Sequence, residues 1–352
     1  MIEQGKALKS CFSMSVDMHA HYLPFELAER LRQRDVAPCL VTLENGSEQL
    51  RMPIGTLAFN AGYTDITQRL SFMDQSGIQR QLLSLPGLFG IDSLPYGDAA
   101  PLTRIFNDDV AGVCRHHPTR FAGLAALPLA DMQAAVTELR HARESLGLLG
   151  AVLPVNAFLT TKQLEALRPL FEAGNELGAH FFIHPGPRPD EVAAASAPRQ
   201  ETYDYGMARR ALAVQAEVGE AMATLMLSTF LDAYPNITVQ IANLGGTFPA
   251  VIERIVHMTR LRAPEAELPS ARKPGVYVDC ASLGPAALTL AAHVYGADRI
   301  VLGTDCPIFD TIETLAAVRD AQLTADQREA ICSGNAAAIL SRLELGRQER
   351  RA

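Results

Sequence analysis

Asp17-Met18-His19-Ala20-His21 closes the first apolar run of the chain, and reading it as the end of a strand decides the fold. Alternate residues of a strand point to the same side, so Asp17, His19 and His21 share one face. Neutral imidazole is a common ligand of zinc and similar ions, and two imidazoles with a carboxylate at a strand end make half of a divalent-metal site. The first segment, Phe12–His19, is followed by Gln79–Leu85, Phe121–Leu127, Gly150–Val155, His180–His184, Thr238–Asn243, Val276–Ala281 and Arg299–Asp305, all short and mostly apolar. Gly, Pro, Asn or Asp often closes them, and helix-compatible stretches separate them. Such near-continuous apolar runs suit parallel strands covered on both faces. Eight strand-then-helix units predict an α/β fold, a (β/α)8 TIM barrel with loop insertions, whose chemistry sits at the carboxyl ends of the strands.

On that barrel the polar strand ends belong together. The first strand ends in His19 and His21, the fifth in His184 of Phe182-Ile183-His184-Pro185-Gly186, and the eighth in Asp305 of Gly303-Thr304-Asp305-Cys306-Pro307. Taken singly, His184 reads as a turn residue and Asp305 as a helix cap. In this order around one barrel mouth, the four predict the ligands of one divalent metal ion. Three nitrogens and one carboxylate favour zinc, with manganese also open.

With 352 residues and 48% hydrophobic content, one barrel accounts for residues 1–352 as a single domain. Residues 1–13 read as an extension rather than a signal peptide, because Lys6 and Lys9 interrupt any apolar core. Net charge is −8 without a dense Lys/Arg run, which argues against nucleic-acid partners. No segment approaches the roughly 20 apolar residues of a membrane span, so a cytoplasmic protein without membrane association is expected. The six cysteines lack CxxC spacing and suit free thiols, with Cys306 packed rather than nucleophilic.

Two long connections leave the catalytic face. Residues 22–63 carry Pro24, Pro38, Asn45-Gly46 and Pro53, which predict interrupted structure, and residues 185–205 carry four prolines. Long loops often bind ligands, so Arg188, Tyr203 and Tyr205 are candidate substrate contacts. Ala208 to Tyr234 reads as one long amphipathic helix stopped by Pro235-Asn236. His116 and His117 end a helix, and His141, His180, His257 and His293 lack a motif; all six are expected to be structural.

From Val16 to Asn335 the chain resembles the amidohydrolase superfamily, in the branch of aminocarboxymuconate-semialdehyde, gamma-resorcylate and methylsalicylate decarboxylases. The resemblance rests on Asp17–Pro24, Met73-Asp74-Gln75-Ser76-Gly77-Ile78, Arg120-Phe121-Ala122-Gly123-Leu124, Leu127-Pro128, Ile183-His184-Pro185, Gly245-Gly246-Thr247-Phe248-Pro249, Val301–Pro307 and Gly334-Asn335. It implies a catalytic divalent metal on His19, His21, His184 and Asp305. One departure matters: Asn243, in Gln240-Ile241-Ala242-Asn243-Leu244-Gly245-Gly246, stands where the family usually has a histidine. An amide does not titrate near neutral pH and cannot act as a general base. Asn243 is therefore expected to contact substrate or a metal-bound oxygen.

The expected activity is metal-dependent, non-oxidative decarboxylation of an aromatic or enol-like carboxylic acid, with Asp305 delivering a proton to the carbon that bears the carboxylate. The alternative on the same barrel is hydrolysis of an amide, lactone or carbon–carbon bond. The resemblance further implies a homodimer in which Arg254 reaches the neighbouring site and binds a substrate carboxylate. Arg51 lies in the region of a second family arginine, without a secure register.

Overall fold

In the computed structural model, which describes residues 15–53, 55–194 and 206–349, each of the eight expected segments forms a strand. They are β1 (Ser15–His21) and, after three insertion strands β2 (Cys39–Thr42), β3 (Glu48–Met52) and β4 (Gly55–Phe59), the strands β5 (Ile78–Ser84), β6 (Phe121–Gly123), β7 (Gly150–Pro154), β8 (His180–His184), β9 (Thr238–Ile241), β10 (Val276–Asp279) and β11 (Ile300–Val301). Parallel pairing runs β1-β5-β6 and β7-β8-β9-β10-β11. A bridge between Ala125 and Ala151 joins the two sheets on one side, and one between Ala20 and Cys306 returns the chain after β11 to β1. The second junction also holds Met18 N–H on Leu302 O (2.8 Å) and Asp305 N–H on His19 O (2.8 Å). Every residue of β7 and β8 is buried, as a strand covered by helices outside and packed side chains inside must be. Gly150 is required where β7 starts, because a Cβ there would lie 1.8 Å from His180 O.

Helices on the outer face begin and end where local chemistry dictates. Asp65 caps Ile66–Ser76 by accepting the Gln68 N–H, and Gly77, at φ 83°, ends it and turns the chain into β5. His116 Nδ1 meets Gly112 O at the end of Tyr96–His116, a helix-terminal role.

Three expectations change. The first strand ends at His21 rather than His19, and residues before Ser15 lie outside the described residues, as does the extension expected over 1–13. The 22–63 insertion is not irregular: it holds a helix, Phe25–Arg32, and the antiparallel sheet β2-β3-β4. Asn45-Gly46, read as a breaker, lies in the turn that pairs Thr42 with Glu48, with Gly46 at φ 81°. Arg51 sits exposed on β3, opposite Cys39 and Thr56. The helix expected over 208–234 spans Gly206–Leu227 and gives way to a short turn, Phe230–Ala233. It packs on the barrel through Val218, Ala221, Met222 and Leu225.

Loops on the catalytic face enclose Asp92, which is 4% exposed. No hydrogen-bond donor among the described residues reaches its Oδ1. Burial pushes this carboxyl up to about 7, against the opposing pull of its own and the Ser93 N–H and hydroxyl groups. Below about pH 4 the group is neutral folded and unfolded, and it has no effect on stability. As pH rises from there to about 7 the unfolded chain ionises first, and stability falls. Asp92→Asn is therefore expected to stabilise the protein at pH 8, by up to about 4 kcal/mol at about 1.4 kcal/mol per pH unit, and not at pH 4. Thermal melts at both pH values check this; an equal gain at both would assign the effect to packing.

Candidate metal centre

The ends of β1 and β8 and the segment after β11 bring His19, His21, His184 and Asp305 together, all buried, with one ligand atom from each within 4.8 Å of the others. His21 Nε2 lies 3.1 Å from the Nε2 of His19 and 3.1 Å from that of His184. Asp305 Oδ1 lies 3.5 Å from His19 Nε2 and 3.0 Å from His21 Nε2. The outer nitrogens fix the tautomers. His184 Nδ1 donates to Pro185 O (2.9 Å), His19 Nδ1 to Asp279 Oδ2 (3.1 Å) and His21 Nδ1 to Ser84 Oγ (3.2 Å), whose own hydrogen points to Ala20 O. A carbonyl and a carboxylate only accept, so the Nε2 lone pairs turn inward.

This donor set fits a divalent cation. Three inward lone pairs and a carboxylate oxygen with no aligned donor among the described residues would repel one another in a buried pocket unless a positive charge sat between them. Four of the spacings between these donors are 3.0–3.5 Å and all lie within 4.8 Å, close enough for a single divalent ion to sit among them. Burial pushes His21 and His184 down and keeps them neutral, as ligands must be. Burial opposes charge on His19 as well, yet the Asp279 and Asp305 carboxylates outweigh it and raise the ring to about 10, so that without a cation His19 takes up a proton on Nε2, the place a bound divalent ion would fill. Burial likewise opposes the Asp305 carboxylate, but the His19 and His21 rings hold it well below the ordinary range.

Two further carboxylates hold this cluster in place. Asp17, expected on sequence to share the metal-facing side of β1, instead accepts from Gln81 Nε2 (2.9 Å), Thr304 Oγ1 (2.7 Å), Thr304 N (3.0 Å) and His19 N (3.1 Å). Its acceptor capacity is filled, and it ties β1 to β5 and to the residue preceding Asp305. Asp279, at the end of β10, was not singled out from the sequence; a lone carboxylate inside the apolar run Val276–Ala281 was the available signal. Buried Arg69 was also missed. Its Nη2 donates to His21 O (2.5 Å) and Gly62 O (2.9 Å), fastening the insertion to the end of β1.

Asn243 ends the β9 side of the mouth. Asn243 and Leu244 adopt φ 56° and 54°, and Asp305 adopts φ 58°. Left-handed backbone at non-glycine residues costs about 1 kcal/mol or more each and persists where surrounding structure enforces it, often at functional sites. Asn243 Oδ1 is buried without a partner among the described residues, leaving it open to a ligand's donor. Of the remaining candidates, neither Arg254 nor Arg188 takes part in the contacts of the cluster. Arg254 is exposed on the helix Phe248–Arg262. Arg188 is taken up by Asp190, Glu191 and Asn156 O, so its donors hold the loop after β8. Tyr203 and Tyr205 lie outside the described residues. Burial raises the Cys306 thiol and leaves it protonated, in keeping with a packing role. Among the described residues, no helix is long and apolar enough to cross a membrane.

The Amidohydrolase family model matches residues 16–342. A 2-amino-3-carboxymuconate-6-semialdehyde decarboxylase of Dictyostelium discoideum is 28% identical over 307 residues, covering 84% of this chain and 82% of the relative. A gamma-resorcylate decarboxylase of Rhizobium radiobacter is 28% identical over 264 residues, covering 70% and 77%. Among solved structures, a dihydroxybenzoic acid decarboxylase from Polaromonas with bound manganese and 2-nitroresorcinol superposes with a TM-score of 0.65 at 20% identity, over 93% of this chain and 96% of that one.

Proposed function

The chain belongs to the amidohydrolase family, and from that premise we propose that it is a metal-dependent, non-oxidative decarboxylase of an aromatic or enol-like carboxylic acid. The observation that carries this reading is the convergence of three imidazoles and one carboxylate on a single point, with an amide rather than an acid–base group at Asn243. A divalent ion on His19, His21, His184 and Asp305, zinc or manganese, would supply Lewis-acid polarisation and a fixed positive charge for the oxygens of the substrate. The named decarboxylase relatives support the same class.

The chain's own groups do the rest. His19, His21 and His184 are each 0–1% exposed, so the reacting carboxylate sits where water is excluded, which favours its departure as neutral carbon dioxide. Asp305 carries a proton to the carbon bearing the carboxylate; the carbon–carbon bond then breaks and its electron pair returns to the ring. The proton comes from the substrate, whose hydroxyl or carboxyl hydrogen passes to Asp305 as its oxygens bind, and a carboxyl held below its ordinary range releases it again readily. Asn243 orients a substrate oxygen or accepts from a neighbouring hydroxyl.

Metal-replete protein should be offered hydroxybenzoates, muconate-like acids and lactones in water enriched in oxygen-18. Carbon dioxide released in step with a product one carboxyl lighter, with no label in that product, supports decarboxylation. A labelled product of unchanged carbon count would replace it with the hydrolytic alternative.

Oligomerisation enters through Arg254. Among the described residues no ion pair or hydrogen bond holds its guanidinium, and it borders a groove of about 450 Å³ with Val251, Ile255, Met258 and Arg262. Val251 is 40% and Leu261 68% exposed on the same helix. A second copy of this chain seated there would bring Arg254 toward the partner's site, where it would bind a second substrate carboxylate. A hydrogen bond between charged groups is worth about 1.5–3 kcal/mol. Arg254→Ala is thus expected to raise KM roughly 10- to 100-fold while metal content stays the same. An active monomer by light scattering at assay concentration would sink the shared-site role.

A further inference from the structure

We propose that Asp279 is the positioning residue of this centre, setting both the ring of His19 and the turn that presents Asn243; the inference rests on the metal-site reading above. The Asp279 carboxylate is fully buried and receives four donors. Oδ2 accepts from His19 Nδ1 (3.1 Å) and Gln240 Nε2 (2.9 Å), and Oδ1 accepts from Asn243 N (3.1 Å) and Ala281 N (3.2 Å). One side chain on β10 thereby fixes a ligand from β1 and the first residue of the left-handed turn after β9.

The arrangement leaves little freedom. Gln240 cannot be turned over without loss, because its Nε2 also donates to Met18 O (3.1 Å) and its Oε1 faces His180 Nε2 (3.3 Å). His180, which no motif marked, thus begins a buried chain that runs through Gln240 and Asp279 to His19. Gly303 makes room for it: a Cβ there would lie 2.7 Å from His19 Cβ and 2.8 Å from Asp279 Cβ. All four partners of Asp279 are donors, so only a group that accepts on both oxygens suits the position. Asparagine of the same shape must turn its NH2 toward donors on one side or the other. Facing His19, the NH2 calls for a lone pair on Nδ1 and moves the ring proton to Nε2, the atom that must bind metal. Facing Asn243, it repels the N–H that anchors the turn.

Outer partners of ligating histidines typically govern metal affinity by 10- to 100-fold. Full-length Asp279→Asn is expected to bind Mn²⁺ about 10- to 100-fold more weakly in chelator competition, with His19→Ala and His19→Ala/Asp279→Asn differing from each other by less than about threefold. A general structural role would lower the melting temperature and leave the Mn²⁺ affinity of the folded fraction as it is. At saturating metal, the residual loss of kcat in Asp279→Asn should largely vanish when compared in an Asn243→Ala background. Wild-type Mn²⁺ affinity in Asp279→Asn, or penalties that multiply fully with His19→Ala, overturns the proposal. Should the double variant fail to fold, the absorption bands of Co²⁺-loaded Asp279→Asn decide: bands identical to wild type overturn it, and shifted bands support it. Asp279-dependent Mn²⁺ binding without carbon dioxide release from any acid tested would leave this inference standing and remove the decarboxylase reading alone.

Discussion

His184→Ala is expected to lose its divalent ion and at least about a thousandfold in turnover. The loss combines two effects. His184 supplies one of three inward Nε2 atoms, 3.1 Å from that of His21, and its tautomer is fixed by Pro185 O, so no neighbouring nitrogen takes its place. Lewis-acid stabilisation of a developing charge is worth several kcal/mol, and about 4 kcal/mol corresponds to about 10³ in rate. Elemental analysis should give close to one divalent ion per wild-type chain and much less in the variant, with activity falling in proportion. A melting curve separates this from unfolding, since the buried ring also packs against Phe182 and His21. Full activity in a thoroughly chelated, metal-free sample would remove the site assignment altogether.

Replacement of Asn243 probes the chemistry rather than the metal. If its amide orients a substrate oxygen, Asn243→Ala should lower kcat by about 10²–10³, the usual effect of losing one preorganised donor at a charged transition state, with metal content unchanged. Its backbone conformation sharpens the expectation. Asn tolerates the left-handed region better than alanine, so part of the loss comes from relaxation of the turn at Asn243 and Leu244, which a parallel melting curve registers. Asn243→His restores the residue common in the family. An imidazole there would crowd a substrate that chelates the centre directly, and decarboxylation should slow. A histidine variant that decarboxylates the native substrate faster, at equal metal content, would falsify the role assigned to Asn243.

Much of this site was legible in the chain because a parallel barrel translates local sequence into position. Every strand ends at the same rim, so His-x-His, His184 and Asp305 are brought to one mouth by strand order alone, with no knowledge of distances. The apolar runs were legible for a related reason: strands buried on both faces lack polar alternation, and helix-compatible stretches must lie between them. The insertion was not legible. Pro24, Pro38 and Asn45-Gly46 signal turns equally well in an irregular loop and in a small antiparallel sheet, and only the pairing of Thr42 with Glu48 distinguishes them. The helix end at Leu227 was missed because Ser228-Thr229 carry a weaker stop signal than Pro235-Asn236.

The sequence by itself determined which side chains reach the rim: a strand's two-residue period and the order of eight strands are one-dimensional facts. Strand order grouped Asp305 with the three histidines, but it left the part played by Asp17, on the same face of β1, undecided. Asp17 stands two residues before His19 on β1, and local spacing marks it as readily as Asp305. Tertiary structure separates them by the donors it brings. Gln81 and Thr304, distant in sequence, fill the oxygens of Asp17, whereas the turn that gives Asp305 a φ of 58° leaves its Oδ1 facing the imidazoles. The same holds for Asp279, whose partners His19 and Gln240 come from other strands. A carboxylate's role depends on which donors surround it, and in a closed barrel those come from neighbouring strands far away in the chain.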